Sequence, residues 1–366
     1  MYQGSEAEEL ARRILKLSNR IIFLLLVLAL IFVLLVFNFQ LPSLSEAQPV
    51  ALPQADENGL FTEAARQEYK RHEIISKYWQ APDISEAEFE TNAEYILYGK
   101  ELIEHTARYF GPEGRVSPGA SNGMNCQNCH LDAGTRIFGN NYGSVASTYP
   151  KYRARAGRLE NAVARINDCF VRSLNGEAID SSSREMKAIL AYMFWLGKNV
   201  IRGQKAPGSG FVELDFPDRA ADTSAGKKVY SEKCSSCHQI QGEGLWNTEI
   251  KEYTYPPLWG PHSYNDGAGM FRLSTLARYV KTNMPFGSRF DQPQLSDAEA
   301  WDVSAYINSR SRPHKSFRGD WPKLNEKPVD HPFGPYADPF SEQQHKYGPF
   351  LPIVKYLSSP SERKSN

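Results

Sequence analysis

The chain has 366 residues, 41% of them apolar, enough to bury the cores of two ordinary domains. Its 42 basic and 42 acidic residues cancel, which excludes bulk charge as a guide to any partner, so charge has to be read locally. Aromatic residues make up 12%, a content that suits enclosure of flat cofactors, with an aromatic-rich core as the plainer alternative.

The first feature along the chain is IIFLLLVLALIFVLLVF, seventeen consecutive apolar residues from Ile21 to Phe37. As a helix this run is roughly 26 Å long, close to the hydrocarbon thickness once Phe39 and Leu41 extend it. Arg12, Arg13, Lys16 and Arg20 precede it, and no Lys or Arg follows until Arg66. The positive-inside rule then leaves residues 1–20 in the cytoplasm and exports everything after about residue 40. A retained transmembrane anchor over 21–39 in the bacterial inner membrane is the expectation. The alternative is a soluble periplasmic protein after cleavage near Ser45-Glu46-Ala47, but the run is long for a signal core and distant from that site. Residues 40–60, with Pro42, Pro49 and Pro53, read as a tether.

Two blocks with one order of parts follow, over 61–202 and 225–312. The first has a helical pattern, AEYILYGKELIEHTARYF, then Cys126-Gln-Asn-Cys129-His130, then SSSREMKAILAYMFWLGKNV with serine cap candidates. The second has TSAGKKVYSEK, then Cys234-Ser-Ser-Cys237-His238, then LSDAEAWDVSAYINS, where Ser296 and Glu299 suggest a capping box. Each block thus carries a Gly-Lys helix, a C-x-x-C-H, a long loop region and a closing helix. Residues 203–224, rich in Gly, Pro and Asp, read as a linker. The tail, 313–366, has little periodicity. Its aromatics (Phe333, Tyr336, Phe340, Tyr347, Phe350) argue for an extended segment packed over the domains rather than disorder.

C-x-x-C-H is the attachment signature of c-type haem: two cysteines three apart take the two vinyls and the next histidine meets the iron. A zinc half-site or a redox dithiol is the rival for one copy. Two copies, each ending in histidine in an exported chain, point to two covalently attached haem c groups with His130 and His238 as proximal ligands. For the second iron, Met284 before Pro285 is the natural sixth donor, with Met270 and Lys281 as competitors and a packing role as the bland reading. In the first block Met186 and Met193 fall on the closing helix at core spacing, and His105 precedes the motif. That leaves Cys169, the one cysteine outside both motifs, 39 residues after His130. A lone cysteine is usually a small buried hydrophobe. Here iron ligation is preferred, and a thiolate donor lowers the potential and favours chemistry over carriage. Around it, Lys151, Arg153, Arg155, Arg158, Arg165 and Arg172 face only Glu160 and Asp168, an excess of four positive charges. Basic runs are mostly solvated faces, but guanidinium forks suit oxyanions and favour a thiolate. A small dianion fits better than nucleic acid, which is not an expected partner of an exported haem protein.

The stretches CQNCHLDAGT, YPKYRARAGRLENAVARINDCFVRSLNG, CSSCHQIQGEG, PPLWGPHSYNDGAGM, NMPFG and DHPFGPYADPFSEQQHKYGPF together resemble the dihaem thiosulfate dehydrogenases, some of which also act as tetrathionate reductases. The likeness covers nearly everything from about residue 60 onward. It implies a mainly α fold of two tandem cytochrome c domains, here preceded by a transmembrane helix and followed by the tail. It implies a catalytic first haem with His130 and Cys169 as ligands, a substrate pocket using Arg155, Arg165 and Ser173, and a second haem with His238 and Met284. The implied reaction couples two thiosulfates into tetrathionate and passes electrons to an external periplasmic acceptor, such as another cytochrome c, with reverse operation as a tetrathionate reductase. Some members carry a lysine just before the NMP-type methionine and exchange the two ligands. Here Asn283 stands there, so stable His238/Met284 ligation is expected. The competing readings are an anchored dihaem electron carrier with no substrate chemistry and a haem subunit of a multiprotein sulfur-oxidation complex.

Overall fold

The computed structural model describes residues 16–18, 22, 24, 25, 27, 28 and 63–359. Apart from those helical positions before 30, the expected cytoplasmic segment, anchor and tether lie outside the described residues. Among the described residues no helix is long and apolar enough to cross a membrane. The chain divides into two units, Met1–Ile75 and Ser76–Asn366. Of the first, helix α1 (Glu63–Ile75) has Glu63 in its first turn and His72 in its last, the polarity the helix dipole favours.

The second unit holds two helical bodies and the tail. In the first body, α2 (Ala93–Glu104) buries Ile96, Gly99, Leu102 and Ile103, one stripe at helical spacing. It crosses the helix of the first closing pattern, which runs Arg184–Leu196 and is capped by Ser183 through Met186 N at 3.1 Å. Met186 and Ile189 of that helix are fully buried in this core, and Met193 lies at its edge. In the second body the Gly-Lys helix, Thr223–Lys233, is capped by Asp222. It crosses the closing helix Asp297–Ser309, where Ser296 and Glu299 form the capping box. Trp301, Tyr230 and Ala277 anchor this second core.

The repeated Gly-Lys has a packing cause. A Cβ on Gly99 would sit 2.0 Å from the Ala188 carbonyl oxygen, and one on Gly226 would sit 1.9 Å from that of Asp302. Each glycine therefore lets two helices touch backbone to backbone where they cross. Gly226→Ala is expected to destabilise the holoprotein by about 1–3 kcal/mol, the usual range for overpacking. Denaturant unfolding followed by haem absorbance measures this. Gly319→Ala, where an added Cβ meets nothing within 4 Å, should stay within about 0.5 kcal/mol of the parent.

Two differences from the sequence expectations concern connections. The first part of the expected linker is bonded to the first body: Trp79 N donates to Pro207 O at 3.0 Å, Phe138 N to Gly208 O at 2.8 Å and Asn140 N to Gly210 O at 3.0 Å. Gly and Pro set this segment's backbone shape, while its bonds come from distant loops that composition does not reveal. The tail is not extended throughout. Ser341 caps a helix over Glu342–Tyr347, and a second runs Leu351–Ser358 with proline in its first turn, where a missing N–H costs nothing. Phe350 and Ile353 are fully buried in the second core.

The bodies meet through named bonds. Tyr279 Oη donates to Asn128 O at 2.8 Å, inside the first C-x-x-C-H, and Asn283 Nδ2 donates to Phe138 O at 3.2 Å. A hairpin of the second body, β3 (Leu245–Asn247) with β4 (Glu252–Tyr255), brings buried Glu252 to His105 Nδ1 at 3.0 Å and Asn125 Nδ2 at 3.1 Å. Its counterpart in the first body pairs β1 (Lys151–Arg153) with β2 (Arg158–Glu160), antiparallel.

Candidate functional site

The first motif is fixed by bonds on both sides of its cysteines. Asn125 N donates to Asn128 Oδ1 at 2.7 Å, Ala107 N donates to Asn125 Oδ1 at 2.7 Å, and Cys126 N donates to Thr106 Oγ1 at 2.9 Å. The loop after His130 is tightly wound, with Asp132, Ala133, Phe138 and Asn140 all at positive φ between 52° and 60°. Such non-glycine positions store about 1–3 kcal/mol each. Here the winding delivers the Asn140 carbonyl to His130, whose Nδ1 it meets at 2.6 Å. A carbonyl only accepts, so Nδ1 carries the hydrogen and Nε2 keeps its lone pair. Tyr142 stacks on the imidazole with centroids 4.5 Å apart, and burial pushes the pKa of His130 down to about 4. The second motif repeats the device, with His238 Nδ1 donating to Pro256 O at 2.8 Å. Both histidines thus carry the hydrogen on Nδ1 and keep the Nε2 lone pair as a donor for a metal, with Asn140 Nδ2 3.4 Å from the Nε2 of His130.

Cys126, Cys129, His130 and Cys169 line one cavity of about 330 Å³, whose remaining wall is largely apolar, with Met124, Phe170, Leu174 and Ile189. All five cysteines are free of disulfides, and among the described residues no three His, Cys, Asp or Glu side chains converge as a metal-ion set. A structural zinc site needs four converging N or S donors. Two sulfurs beside one imidazole in an apolar slot instead suit a flat, covalently attached haem, and the residues fit that group.

Cys169 arrives by an irregular helix. α3 (Ala162–Asp168), capped by Asn161 through Ala164 N at 2.9 Å, widens into a π-helical turn over Cys169–Ser173. π-Turns of this kind concentrate at functional sites. Arg165, Cys169 and Ser173, spaced by four, all line the cavity. Charge at Cys169 raises Arg165 above the ordinary guanidinium range, with burial opposing it. Arg172 points the other way: it takes Asp320 of the tail through two bonds of 2.7 and 2.8 Å and lies 3.7 Å over the Phe317 ring. The tail therefore braces the turn from behind.

Arg155 departs from the expectation that it lines the pocket. Its guanidinium faces Asp168 at 3.9 Å and the Trp321 ring at 5.8 Å, and its carbonyl accepts from Trp321 N at 2.7 Å. The tail draws it out of the cavity wall, and burial with Arg172 and Arg165 nearby lowers its pKa to about 10. In its place Lys151 and Arg153 line the cavity, joined by Lys205 from the segment after the closing helix. The alternation Lys-x-Arg on β1 was a readable signal for the first two, since positions two apart share a strand face. Nothing local marked Lys205.

At the second site the competitors of Met284 are engaged elsewhere. Lys281 Nζ donates to Leu295 O at 2.6 Å and pairs with Asp297 at 2.7 Å. Met270 is buried in the core, 8% exposed. Met284 follows the helix Leu273–Asn283 in extended conformation and packs, half-buried, against that core. In the first body, His105 is taken up by Glu252.

Two family profiles match the chain: "SoxA/TsdA, cytochrome c domain" over residues 117–200 and "Cytochrome c" over residues 223–311. A thiosulfate dehydrogenase of Allochromatium vinosum is 39% identical over 224 residues, 60% of this chain and 79% of the relative. One of Stutzerimonas stutzeri is 34% identical over 236 residues, 64% of this chain and 73% of the relative. One of Psychrobacter arcticus is 39% identical over 228 residues, spanning 62% of this chain and 66% of the relative. Among solved structures, the thiosulfate dehydrogenase TsdBA of Marichromatium purpuratum, as isolated, is 32% identical with a TM-score of 0.59, covering 64% of this chain and 50% of that one. The chain accordingly contains two cytochrome c domains.

Proposed function

Since this chain belongs to the thiosulfate dehydrogenase family, we propose that it joins two thiosulfate dianions into tetrathionate at the cavity beside Cys169. The sulfane sulfurs of the two anions form one S–S bond, two electrons leave, and no proton is gained or lost. The observation that carries this reading is the meeting of Cys169, His130, Arg165 and Ser173 in the lining of one cavity.

The first haem would be held by Cys126 and Cys129 with His130 and Cys169 as iron donors, and the second by Cys234 and Cys237 with His238 and Met284. When bound, the two groups supply one-electron acceptors that relay charge to an outside partner. The protein's own contribution is electrostatic. Arg165 offers a planar fork to a sulfonate, Ser173 offers a hydroxyl, and the apolar wall excludes water, which strengthens both contacts. Positive charge there offsets the repulsion between two dianions as their sulfurs approach. Arg155 supports the site from outside by facing Asp168 at the end of α3.

The electron partner is a periplasmic acceptor or donor such as another cytochrome c, and the same couple run backwards is tetrathionate reduction. The catalytic body is carried in the periplasm on the inner membrane by the apolar segment 21–39, a reading supported by the charge asymmetry of the N-terminal sequence. Membrane fractionation with and without alkaline extraction tests it: recovery in the soluble periplasmic fraction would refute retention. For the activity, purified holoprotein mixed with thiosulfate and ferricyanide is expected to yield one tetrathionate per two ferricyanides reduced. A folded, fully haem-loaded protein that reduced no ferricyanide would overturn this reading and leave the electron carrier and the subunit of a sulfur-oxidation complex.

A further inference from the structure

The segment that carries the first C-x-x-C-H is held from outside its own body. Asn122 Nδ2 donates to Ser263 O at 3.0 Å, and a Cβ on Gly123 would sit 2.9 Å from the Trp246 ring. Glu252 of β4 is 3% exposed, yet the partners of its carboxylate all belong to the first body. It accepts from His105 Nδ1 at 3.0 Å and Asn125 Nδ2 at 3.1 Å, and lies 3.7 Å from Arg108 Nε. Asn125 is thereby fixed beside Cys126. Tyr279 Oη donates to Asn128 O, beside Cys129, at 2.8 Å. Asn283 Nδ2 donates to Phe138 O at 3.2 Å, two residues before the carbonyl that meets His130. Cys129 and Leu131 pack against the second core rather than the first.

The second motif is held by its own body. Cys234 N donates to Tyr230 O at 2.9 Å, Tyr230 Oη to Gln239 O at 2.6 Å, and His238 Nδ1 to Pro256 O at 2.8 Å. The asymmetry has a physical consequence. A buried carboxylate set across an interface is costly unless its partners stay in register, so Glu252 fixes how the two bodies seat. The first motif takes its backbone position from that seating. We infer that Glu252 and Tyr279 are positioning residues for the first haem site, supplied by the second body. They fix the backbone beside Cys126 and Cys129, and Asn283 steadies the loop that presents His130. The second body thus completes the site at which the coupling is proposed, besides receiving its electrons. Only the name catalytic for that site rests on the thiosulfate reading; the grip on the first motif does not.

The test uses the holoprotein with three small changes: Tyr279→Phe, Glu252→Gln and, as the counterpart at the second motif, Tyr230→Phe. Low-temperature EPR and spectroelectrochemical titration resolve the two haems. Tyr279→Phe and Glu252→Gln are expected to shift the signal and reduction potential of the first haem and leave those of the second. Tyr230→Phe is expected to do the reverse. With thiosulfate, kcat in the first two should fall about tenfold or more with KM little changed, the scale on which outer-shell partners act. A first haem unchanged in both variants, or equal shifts at both haems, overturns the positioning role, because general loosening of the fold would not select one site. A shifted first haem in a protein whose parent forms no tetrathionate would keep the positioning role and sink the coupling reading, a separate outcome. If Glu252→Gln does not fold, Tyr279→Phe, which removes one hydroxyl from a ring that stays packed, decides.

Discussion

Cys169→Gly is expected to retain both covalent haems and to lose tetrathionate formation by about two orders of magnitude or more, the scale on which a single site-defining group acts. Haem content reports attachment, which depends on Cys126, Cys129, Cys234 and Cys237 and not on Cys169. Low-temperature EPR should show a thiolate-ligated low-spin haem in the parent and its disappearance in the variant. The backbone at Cys169 is set by α3 on one side and by Leu174 N donating to the Cys169 carbonyl at 2.9 Å on the other. Glycine therefore removes the sulfur with little excuse for wider collapse, and Cys169→Ala, which keeps the backbone restrained, guards against that excuse. Full activity in both variants would sink the role of this sulfur. Lost activity with an unchanged EPR spectrum would keep a substrate role and remove the ligand role.

The sulfur is only as well placed as the turn that carries it. The π-turn over Cys169–Ser173 is braced from the second body and the tail: Asn265 Nδ2 donates to Val171 O at 2.9 Å, Lys315 Nζ to the same carbonyl at 3.4 Å, and Asp320 holds Arg172. Two parts of the chain distant in sequence, the second body and the tail, thus converge on these five residues. This gives the tail a physical task beyond covering apolar surface, and it explains why aromatic residues such as Phe317 and Trp321 sit there: each lies against an arginine of the basic run.

What could be read from the sequence was what local chemistry enforces. C-x-x-C-H is legible because covalent attachment demands that spacing, and Ser296 with Glu299 because a capping box is closed within one turn. Cys169 was legible by exclusion, since four of five cysteines were already committed. What stayed hidden depended on tertiary return. Gly99 and Gly226 look like ordinary helix glycines until Ala188 and Asp302 are brought against them. Lys205 sits among Gly, Pro and Ser, and the bonds of its neighbours Gly203, Gln204, Ala206 and Pro207 to the first body carry it back to the cavity. Arg155, which the family resemblance places with Arg165 and Ser173, faces Asp168 and the Trp321 ring here, contacts that sequence distance conceals.

That contrast between two arginines sets the last expectation. Arg165→Gln should lower kcat/KM for thiosulfate by about 10²–10³, corresponding to about 2.7–4 kcal/mol of lost stabilisation, as when one preorganised charge-stabilising donor is removed. Arg165 lines the cavity one turn before Cys169, and its interaction with charge on that sulfur is the first cause of its raised pKa. Glutamine keeps an N–H donor on a shorter side chain but removes the charge, and Arg165→Lys restores charge without the bidentate fork, so it should fall between the two. Arg155→Gln should cost less, because that guanidinium is spent on Asp168 and Trp321 rather than on the cavity. Steady-state kinetics across ionic strength separates the causes: loss of a cavity charge flattens the salt dependence of kcat/KM, whereas loss of a brace lowers the rate without changing its slope. Equal losses and equal slopes for Arg155 and Arg165 would mean that the basic run acts as a diffuse field. Unequal ones would mean that position on the cavity wall, which Arg165 has and Arg155 lacks, determines which positive charge the substrate meets.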